Sequence, residues 1–151
     1  MKKTIAIILC LVMLFAFVGC SSDEKEKEEV TVSAGEIVKV PVNITKNPGM
    51  VAASLKIKYD ASSLEFLGYT NEKIFEECTV HEADGIVNVV SFKSNLNKDD
   101  TSKGNMLTLK FKVKDKAKSG IKKFTLSQYQ FVNTNEKEVK VTVEIPDVKV
   151  K

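Results

Sequence analysis

Residues 49–69 read GMVAASLKIKYDASSLEFLGY, and the order of residue types in this stretch decides the fold class. Apolar residues alternate with lysines across residues 55–59, so one side of an extended strand is apolar and the other is polar. The short polar side chains of residues 60–63 favour a turn, because they can bond to their own backbone. Apolar residues resume at 64–67. The stretch therefore predicts two strands of a sheet that packs against a core.

Residues 30–151 have the same character, and we interpret them as one domain of about 120 residues, long enough to bury about 65% of its unfolded surface. Alternation is clearest in residues 107–113 (LTLKFKV) and 139–145 (VKVTVEI). Residues 71–77 are the one helical candidate, of a turn or two. Many short strands without long helices predict an all-β fold, an antiparallel β-sandwich of the jelly-roll or immunoglobulin-like kind.

The first 29 residues predict export, and we expect them to lie outside the folded domain. Residues 1–19 have a positive start and a long apolar run, which is typical of a signal peptide. Residues 17–20 (FVGC) resemble a bacterial lipoprotein cleavage site, which implies that Cys20 is lipidated; plain secretory cleavage is the alternative. Residues 20–29 would then be a lipidated cysteine followed by a charged tether. We therefore expect a protein on the outer face of the cytoplasmic membrane, held there by its lipid anchor only.

The charge of the chain argues against a nucleic-acid partner. All 23 basic residues are lysines, against 20 acidic residues, and the formal net charge is +3. Without the two lysines of the signal peptide, 21 lysines remain and the mature net charge is about +1. The lysines are dispersed, and the bidentate arginine fork that phosphate recognition favours is missing from the sequence.

The residues that could carry chemistry are few. His81 is the only histidine and is interpreted as a surface imidazole. Cys78 would be the one cysteine of the domain, and we interpret it as a small buried residue. Neither acidic pair, at 76–77 or at 99–100, can direct both of its carboxylates at one bond, because neighbours on a strand point to opposite faces. Residues 95–104 carry oxygen ligands without the spacing of an EF-hand loop. We predict no catalytic residue, metal or cofactor, and therefore no enzyme.

Aromatic residues give limited support to sugar binding. The sequence contains no tryptophan and three tyrosines. Tyr59 lies on the core side of its strand, and Tyr129 shares a face with Phe131 and is expected to be packed. Tyr69, at a strand end, is the candidate for exposure. Polysaccharide therefore remains a possible partner without a clear binding platform.

Four segments, in their order and spacing, resemble the cohesin domain, a small sandwich module that binds dockerins in bacterial polysaccharide-degrading complexes. They are residues 35–44 (GEIVKVPVNI), 49–69, 104–113 (GNMLTLKFKV) and 117–126. The resemblance covers most of residues 30–151. It implies a jelly roll of about nine strands, in the superfamily that also contains carbohydrate-binding modules, whose flat sheet face binds a dockerin.

Position by position, the resemblance implies that Ala52, Ser54, Val90, Lys93 and Glu138 bind the partner. Ala52 and Ser54 stand where type I cohesins have Asn and Asp, so two polar contacts are missing. Val90 keeps an apolar position, and Glu138 matches a family glutamate. Lys93 stands where an acidic residue is common. Lost hydrogen-bonding groups change specificity, so we expect a divergent dockerin-like protein or another partner.

These patterns lead to one main hypothesis and two alternatives. The main hypothesis is a non-catalytic cell-surface module that docks a dockerin-bearing or other protein and is linked to polysaccharide degradation. The alternatives are a carbohydrate-binding module and an envelope structural lipoprotein without a dockerin partner. The sequence leaves open which side of residues 86–92 faces the core, because apolar residues occur in both registers.

Overall fold

The computed structural model describes residues 28–151, and within them the chain forms eleven β-strands and no helix. In chain order the strands are β1 (Glu29–Val32), β2 (Ile37–Lys46), β3 (Ala52–Lys58), β4 (Leu64–Asn71), β5 (Glu77–Ala83), β6 (Ile86–Phe92), β7 (Gly104–Val113), β8 (Gly120–Lys122), β9 (Thr125–Val132), β10 (Thr142–Glu144) and β11 (Asp147–Val150). The predicted all-β class is therefore confirmed, with two strands more than the expected nine.

The strands form three sheets. A front sheet has the strand order β5-β6-β3-β9, a back sheet has the order β10-β2-β7-β4, and a small side sheet has the order β1-β11-β8. Every pairing is antiparallel except that of β1 with β11. The front and back sheets enclose one hydrophobic core, which confirms the predicted antiparallel sandwich.

Side-chain alternation explains why these residues form a two-layer body. In β2 the alternate residues Val38, Val40, Val42 and Ile44 are buried, and the residues between them face outward. In a strand, successive side chains point to opposite faces, so this pattern places one whole side of β2 in the core. Burying an aliphatic side chain of this size contributes about 1.5–3 kcal/mol. The alternation is therefore the main source of the free energy that holds β2 in the sandwich.

An aromatic cluster centred on Phe111 fills the core near the end of β7. The Phe111 ring centroid lies 4.9 Å from that of Tyr59, 5.5 Å from that of Phe66 and 5.2 Å from that of Phe124. Phe111 and Phe66 lie on the back sheet, and Tyr59 and Phe124 lie directly beside the ends of β3 and β9, so the cluster joins the two layers. The tilted and edge-on geometry is the one that aromatic pairs prefer.

The front sheet has a definite register, which answers the question that the sequence left open for residues 86–92. Val87 and Val89 are fully buried, whereas Val90 and Phe92 face outward. A two-residue turn at Asp84 and Gly85 joins β5 to β6, and both residues have positive φ, as tight hairpin turns require. This turn sets the pairing of β5 with β6.

The turn predicted at residues 60–63 is present and is stabilised by Asp60. Its carboxylate accepts hydrogen bonds from the Ser62 amide at 3.0 Å and from the Ser63 hydroxyl at 2.7 Å. Hydrogen bonds from Ser62 and Ser63 lower the pKa of Asp60 to about 2. The Asp60 side chain therefore stays ionised and keeps the turn closed at neutral pH.

The helix expected at residues 71–77 does not form. Asn71 ends β4, and its amide donates to the Phe75 carbonyl at 3.0 Å while its side-chain oxygen accepts from the Lys73 amide at 2.9 Å. These bonds close a loop that places the Phe75 ring in the core. The prediction was wrong because side-chain bonds to the backbone compete with helical ones.

Two strands, β5 and β8, lack a continuous apolar pattern in the sequence. Strand β5 alternates half-buried residues such as Val80 with exposed polar ones such as Thr79 and His81. In strand β9 a bulge shifts the register opposite Lys56 and Ile57, which interrupts the alternation of the strand. Edge strands bury only part of their side chains, so their apolar signal is weak.

The N-terminal end of the domain lies close to where the sequence placed it. Strand β1 begins at Glu29, which the sequence analysis assigned to the tether, and the Glu28 carbonyl accepts a hydrogen bond from the Asp147 amide at 3.0 Å. The predicted signal peptide at residues 1–19 and the predicted lipidation of Cys20 lie outside the described residues. In the part of the chain that the structure describes, no helix is long and apolar enough to span a membrane.

Candidate partner-binding face

The outward side of the front sheet presents a regular grid of side chains, whose rows are set by strand register. The first row is Glu77, Phe92, Ala52 and Val132; the second is Thr79, Val90, Ser54 and Gln130; the third is His81, Asn88, Lys56 and Gln128; the fourth is Ala83, Ile86, Lys58 and Thr125. Outward residues on one strand are about 7 Å apart, so the four rows extend over about 20 Å.

The first two rows contain an apolar zone, which consists of Ala52, Val90, Phe92 and Val132. Val90 is 52% exposed and Phe92 is 43% exposed, and both lie on strand β6 in the interior of the sheet. Ala52 and Val132 are half-buried beside them in the first row. Adjacent exposed apolar side chains with a polar surround are typical of protein interaction sites.

Four of the five residues that the resemblance assigned to partner binding lie together on this grid. Ala52, Ser54 and Val90 occupy the first two rows. Glu138 pairs with Val132 across an isolated β-bridge, so it extends the first row beyond the edge of the sheet. The fold thus brings residues that are more than eighty positions apart in the sequence onto one surface. Their role in binding remains a prediction.

Lys93 lies just beyond Phe92, and its side chain is held in a polar cluster instead of facing outward. Only 14% of the side chain is exposed, and its ammonium contacts Asp100 Oδ2 at 2.5 Å and Glu76 Oε1 at 3.5 Å. It also donates to the Ile74 carbonyl at 2.5 Å. Burial lowers the pKa of Lys93, but the hydrogen bond and the charge of Asp100 outweigh burial and raise it. Lys93 therefore joins two loops, and a direct contact with a partner remains a prediction.

The loops beyond the first row are tied together by further side-chain bonds. The Asn47 amide donates to the carbonyls of Asp100 and Ser102 at 2.8 and 2.9 Å. Asp99 Oδ1 accepts from the Thr134 amide at 2.8 Å. Within residues 28–151, no group of three His, Cys, Asp or Glu side chains could hold a metal ion. Asp99 and Asp100 therefore bond to groups of the protein itself, in the polar cluster and in neighbouring turns.

The exposure of one of the three tyrosines differs from the prediction. Tyr129 is 54% exposed, so the prediction that it is packed was wrong. Strand β9 is at the edge of the front sheet, and the Tyr129 ring packs on Phe131, with centroids 6.4 Å apart, while its other side stays open. Tyr69 is exposed, as predicted, and its hydroxyl donates to the Cys78 carbonyl at 2.8 Å. Tyr59 donates to Glu82 Oε1 at 2.8 Å.

Cys78 and His81 lie on strand β5 on opposite sides of the sheet. Cys78 is half-buried, and its sulfur accepts a hydrogen bond from the Ser91 hydroxyl at 3.2 Å. Burial raises the pKa of the Cys78 thiol, against a smaller opposing effect of Ser91. The thiolate that reacts or binds metals is therefore disfavoured. His81 is an exposed surface residue in the third row, as predicted.

The sequence analysis did not assign Phe92 and Val132 to the site. Phe92 has the same outward phase as Val90, so its position followed from alternation once the register was known. Val132 could not be assigned to the site from the sequence, because its neighbour Ala52 lies eighty residues away in the chain. Only strand pairing places the two residues side by side. Both are members of the apolar zone.

Comparison with known proteins agrees with the observed fold. The family model described as "Cohesin domain" matches residues 27–150. The cohesin of a type I cohesin–dockerin complex from Clostridium thermocellum is 18% identical, with a TM-score of 0.73, and the match covers 82% of this chain and 95% of that chain. The sixth cohesin of scaffoldin B from Acetivibrio cellulolyticus, in complex with a Cel5 dockerin mutant, is 20% identical, with a TM-score of 0.74 and the same coverage.

A third similar structure is a non-cellulosomal cohesin from the archaeon Archaeoglobus fulgidus. It is 16% identical, with a TM-score of 0.68, and the match covers 83% of this chain and 87% of that chain. None of the curated proteins compared with the chain matches it. Identities this low establish a common fold and nothing further about partners. The family model, in contrast, matches nearly the whole described domain, and the chain therefore belongs to the cohesin domain family.

Proposed function

We propose that this protein is a non-catalytic module that docks a dockerin-bearing protein on the outward side of the front sheet. The observation that carries the proposal is the apolar zone, where Val90 and Phe92 are exposed on central strand positions. Membership of the cohesin family supports the choice of partner, since two of the similar structures are complexes with dockerins. Through such a partner the module would be linked to polysaccharide degradation.

The chemistry of the zone favours apolar contact over a polar network. Ala52 and Ser54 offer little hydrogen bonding at the positions where type I cohesins have Asn and Asp. Covering Val90 and Phe92 would remove two large apolar side chains from water, and complete burial of each contributes about 1.5–3 kcal/mol. Residues that are fully desolvated near the centre of an interface dominate the binding energy of many complexes. The partner is accordingly expected to be a divergent dockerin.

Replacing Val90 with aspartate is expected to weaken dockerin binding about 30-fold, because a carboxylate would have to be desolvated in the centre of the interface. The measurement is the dissociation constant from titration calorimetry against each dockerin domain encoded in the same genome. Ile37→Asp is the matched control, since Ile37 is 61% exposed but lies on the outward side of the back sheet. Equal weakening by both variants, or no binding of the native domain at micromolar concentration, would contradict the proposal.

We also propose that the domain is held at the outer face of the cytoplasmic membrane by a lipid on Cys20. The support is the sequence pattern of residues 17–20, and the anchor would attach nine residues before Glu29, the first residue of β1. A diacylglyceryl group supplies the two chains that stable anchoring requires.

The Cys20→Ser variant should lose incorporation of labelled palmitate and pass from the membrane fraction to the medium. Cys78→Ser is the control, because it also removes a thiol but lies within the folded domain, and it should remain labelled. Labelling that persists in Cys20→Ser would refute the anchor.

Sugar binding is a second candidate function, favoured by one observation. Tyr129 is exposed on edge strand β9, where it lines a surface depression together with Ser54 and Glu138, and its ring lies on the other side of the strand from Gln128 and Gln130. An exposed aromatic ring can bind a pyranose face. Affinity electrophoresis in gels that contain soluble polysaccharide separates the two functions, because only a sugar-binding protein is retarded there.

A further inference from the structure

We propose that the front sheet selects a partner whose contact surface combines an apolar group with carboxylates about 13 Å away from it. This inference rests on the proposed function, because it concerns the same face and specifies the chemistry of its partner. It is drawn from the positions of Lys56 and Lys58 relative to the apolar zone.

Lys56 and Lys58 form a basic zone on the central strand β3. They occupy the third and fourth rows of the grid, and both side chains are exposed. Their neighbours across the sheet carry no negative charge: these are Asn88 and Ile86 on β6, and Gln128 and Thr125 on β9. Among residues 28–151, neither ammonium has a carboxylate within ion-pair distance.

Two lysines of the described domain are neutralised locally, whereas those of the basic zone are not. Lys93 pairs with Asp100, and Lys122 lies 3.6 Å from Asp60. Lys56 and Lys58, in contrast, are about 7 Å apart on the same face, so each raises the positive potential at the other. A partner with carboxylates opposite them would relieve this repulsion.

The acidic residues of the first row form no ion pair with the basic zone. The backbones of Glu77 and Glu138 lie at the two sides of that row, two rows from Lys56, and the Glu138 side chain lines the same surface depression as Lys56. Two rows correspond to about 13 Å. At physiological ionic strength the Debye length is about 8 Å, so attraction between exposed charges over this distance is largely screened.

The two zones together determine what the partner must present. The apolar zone lies in the first two rows and the basic zone in the last two, so their centres are about 13 Å apart along the strands. On a partner helix, residues that share a face and lie at about this distance are about seven or eleven positions apart, or about 11 and 16 Å along the axis. The partner should therefore carry an exposed apolar side chain at one end of its contact surface and acidic side chains about two or three turns away on the same face. This arrangement would also give the partner a single preferred orientation.

The test compares two double charge reversals of equal size. Lys56→Glu with Lys58→Glu alters the basic zone, and Lys39→Glu with Lys110→Glu alters a lysine pair on the outward side of the back sheet. The probe is each dockerin domain encoded in the same genome, purified singly, and the dissociation constant is measured at low and at high salt. Thermal unfolding of both variants checks that the fold is intact.

Reversal in the basic zone should weaken binding about 30-fold at low salt, while the back-sheet reversal leaves binding unchanged. The difference should shrink at high salt. Replacing the acidic contact residues of the probe with lysine should restore binding to the reversed domain. Undiminished or tighter binding by the Lys56→Glu and Lys58→Glu variant, while Val90→Asp still weakens binding, would overturn this inference and leave the proposed function intact. Failure of every dockerin to bind the native domain would overturn both.

Discussion

Replacing Phe111 with alanine should lower the free energy of unfolding by about 4 kcal/mol, the largest effect that we expect from a single substitution. The Phe111 side chain is fully buried and touches the rings of Tyr59, Phe66 and Phe124. Its removal would leave a cavity between the two sheets, because rings held on separate strands cannot all move inward. Domains of this size are typically stable by about 5–15 kcal/mol, so a large share of the stability would be lost.

Urea unfolding followed by circular dichroism measures this effect, and the midpoint should fall by about 2 M. Phe92→Ala is the matched control, because it removes the same side chain from the exposed apolar zone. It should cost less than about 1 kcal/mol in stability while weakening dockerin binding. A midpoint for Phe111→Ala equal to that of Phe92→Ala would show that the aromatic cluster does not support the core.

Replacing Lys93 with alanine should lower the free energy of unfolding by about 3 kcal/mol. The substitution removes the ammonium from three acceptors at once, and it leaves the Asp100 carboxylate and the Ile74 carbonyl without their strongest donor. Glu76 is half exposed and should contribute little to the loss. The affected loops adjoin the first row of the grid, so dockerin binding should weaken together with stability.

Lys98→Ala is the control for Lys93→Ala, since it removes an exposed lysine from the same loop and should change stability by less than about 0.5 kcal/mol. The double variant Lys93→Met with Asp100→Asn should recover part of the loss, because no unpaired charge remains buried. Equal stabilities of Lys93→Ala and Lys98→Ala would exclude a structural role for the cluster.

The same pair predicts how stability depends on pH. Burial raises the pKa of Asp100, but hydrogen bonds from Lys93 and Ser102 outweigh burial, and the net effect is a lowered pKa. A carboxyl group whose pKa is lower in the folded state stabilises the fold above its unfolded pKa of about 3.8, and this contribution disappears as the pH falls through the folded value. Acid should therefore destabilise the native domain more than the Lys93→Ala variant.

Much of the candidate site was predictable one strand at a time. Alternation in β3 placed Lys56 and Lys58 on the polar side, where the structure has them. The resemblance identified Ala52, Ser54, Val90 and Glu138, which the fold brings onto the same grid. The environment of Lys93 was not predictable, because its partners Asp100 and Ile74 come from loops that carry no periodic pattern.

The sequence by itself determined the all-β class and the apolar side of the most regular strands, because alternation with a period of two is a local property of the chain. Only the tertiary structure decided that Val90 faces outward and Val87 inward, that Tyr129 is open, and that Lys93 is enclosed by carboxylates. These outcomes depend on pairing between strands and loops distant in sequence, and an apolar run such as residues 86–92 satisfies either register until its neighbours are in place.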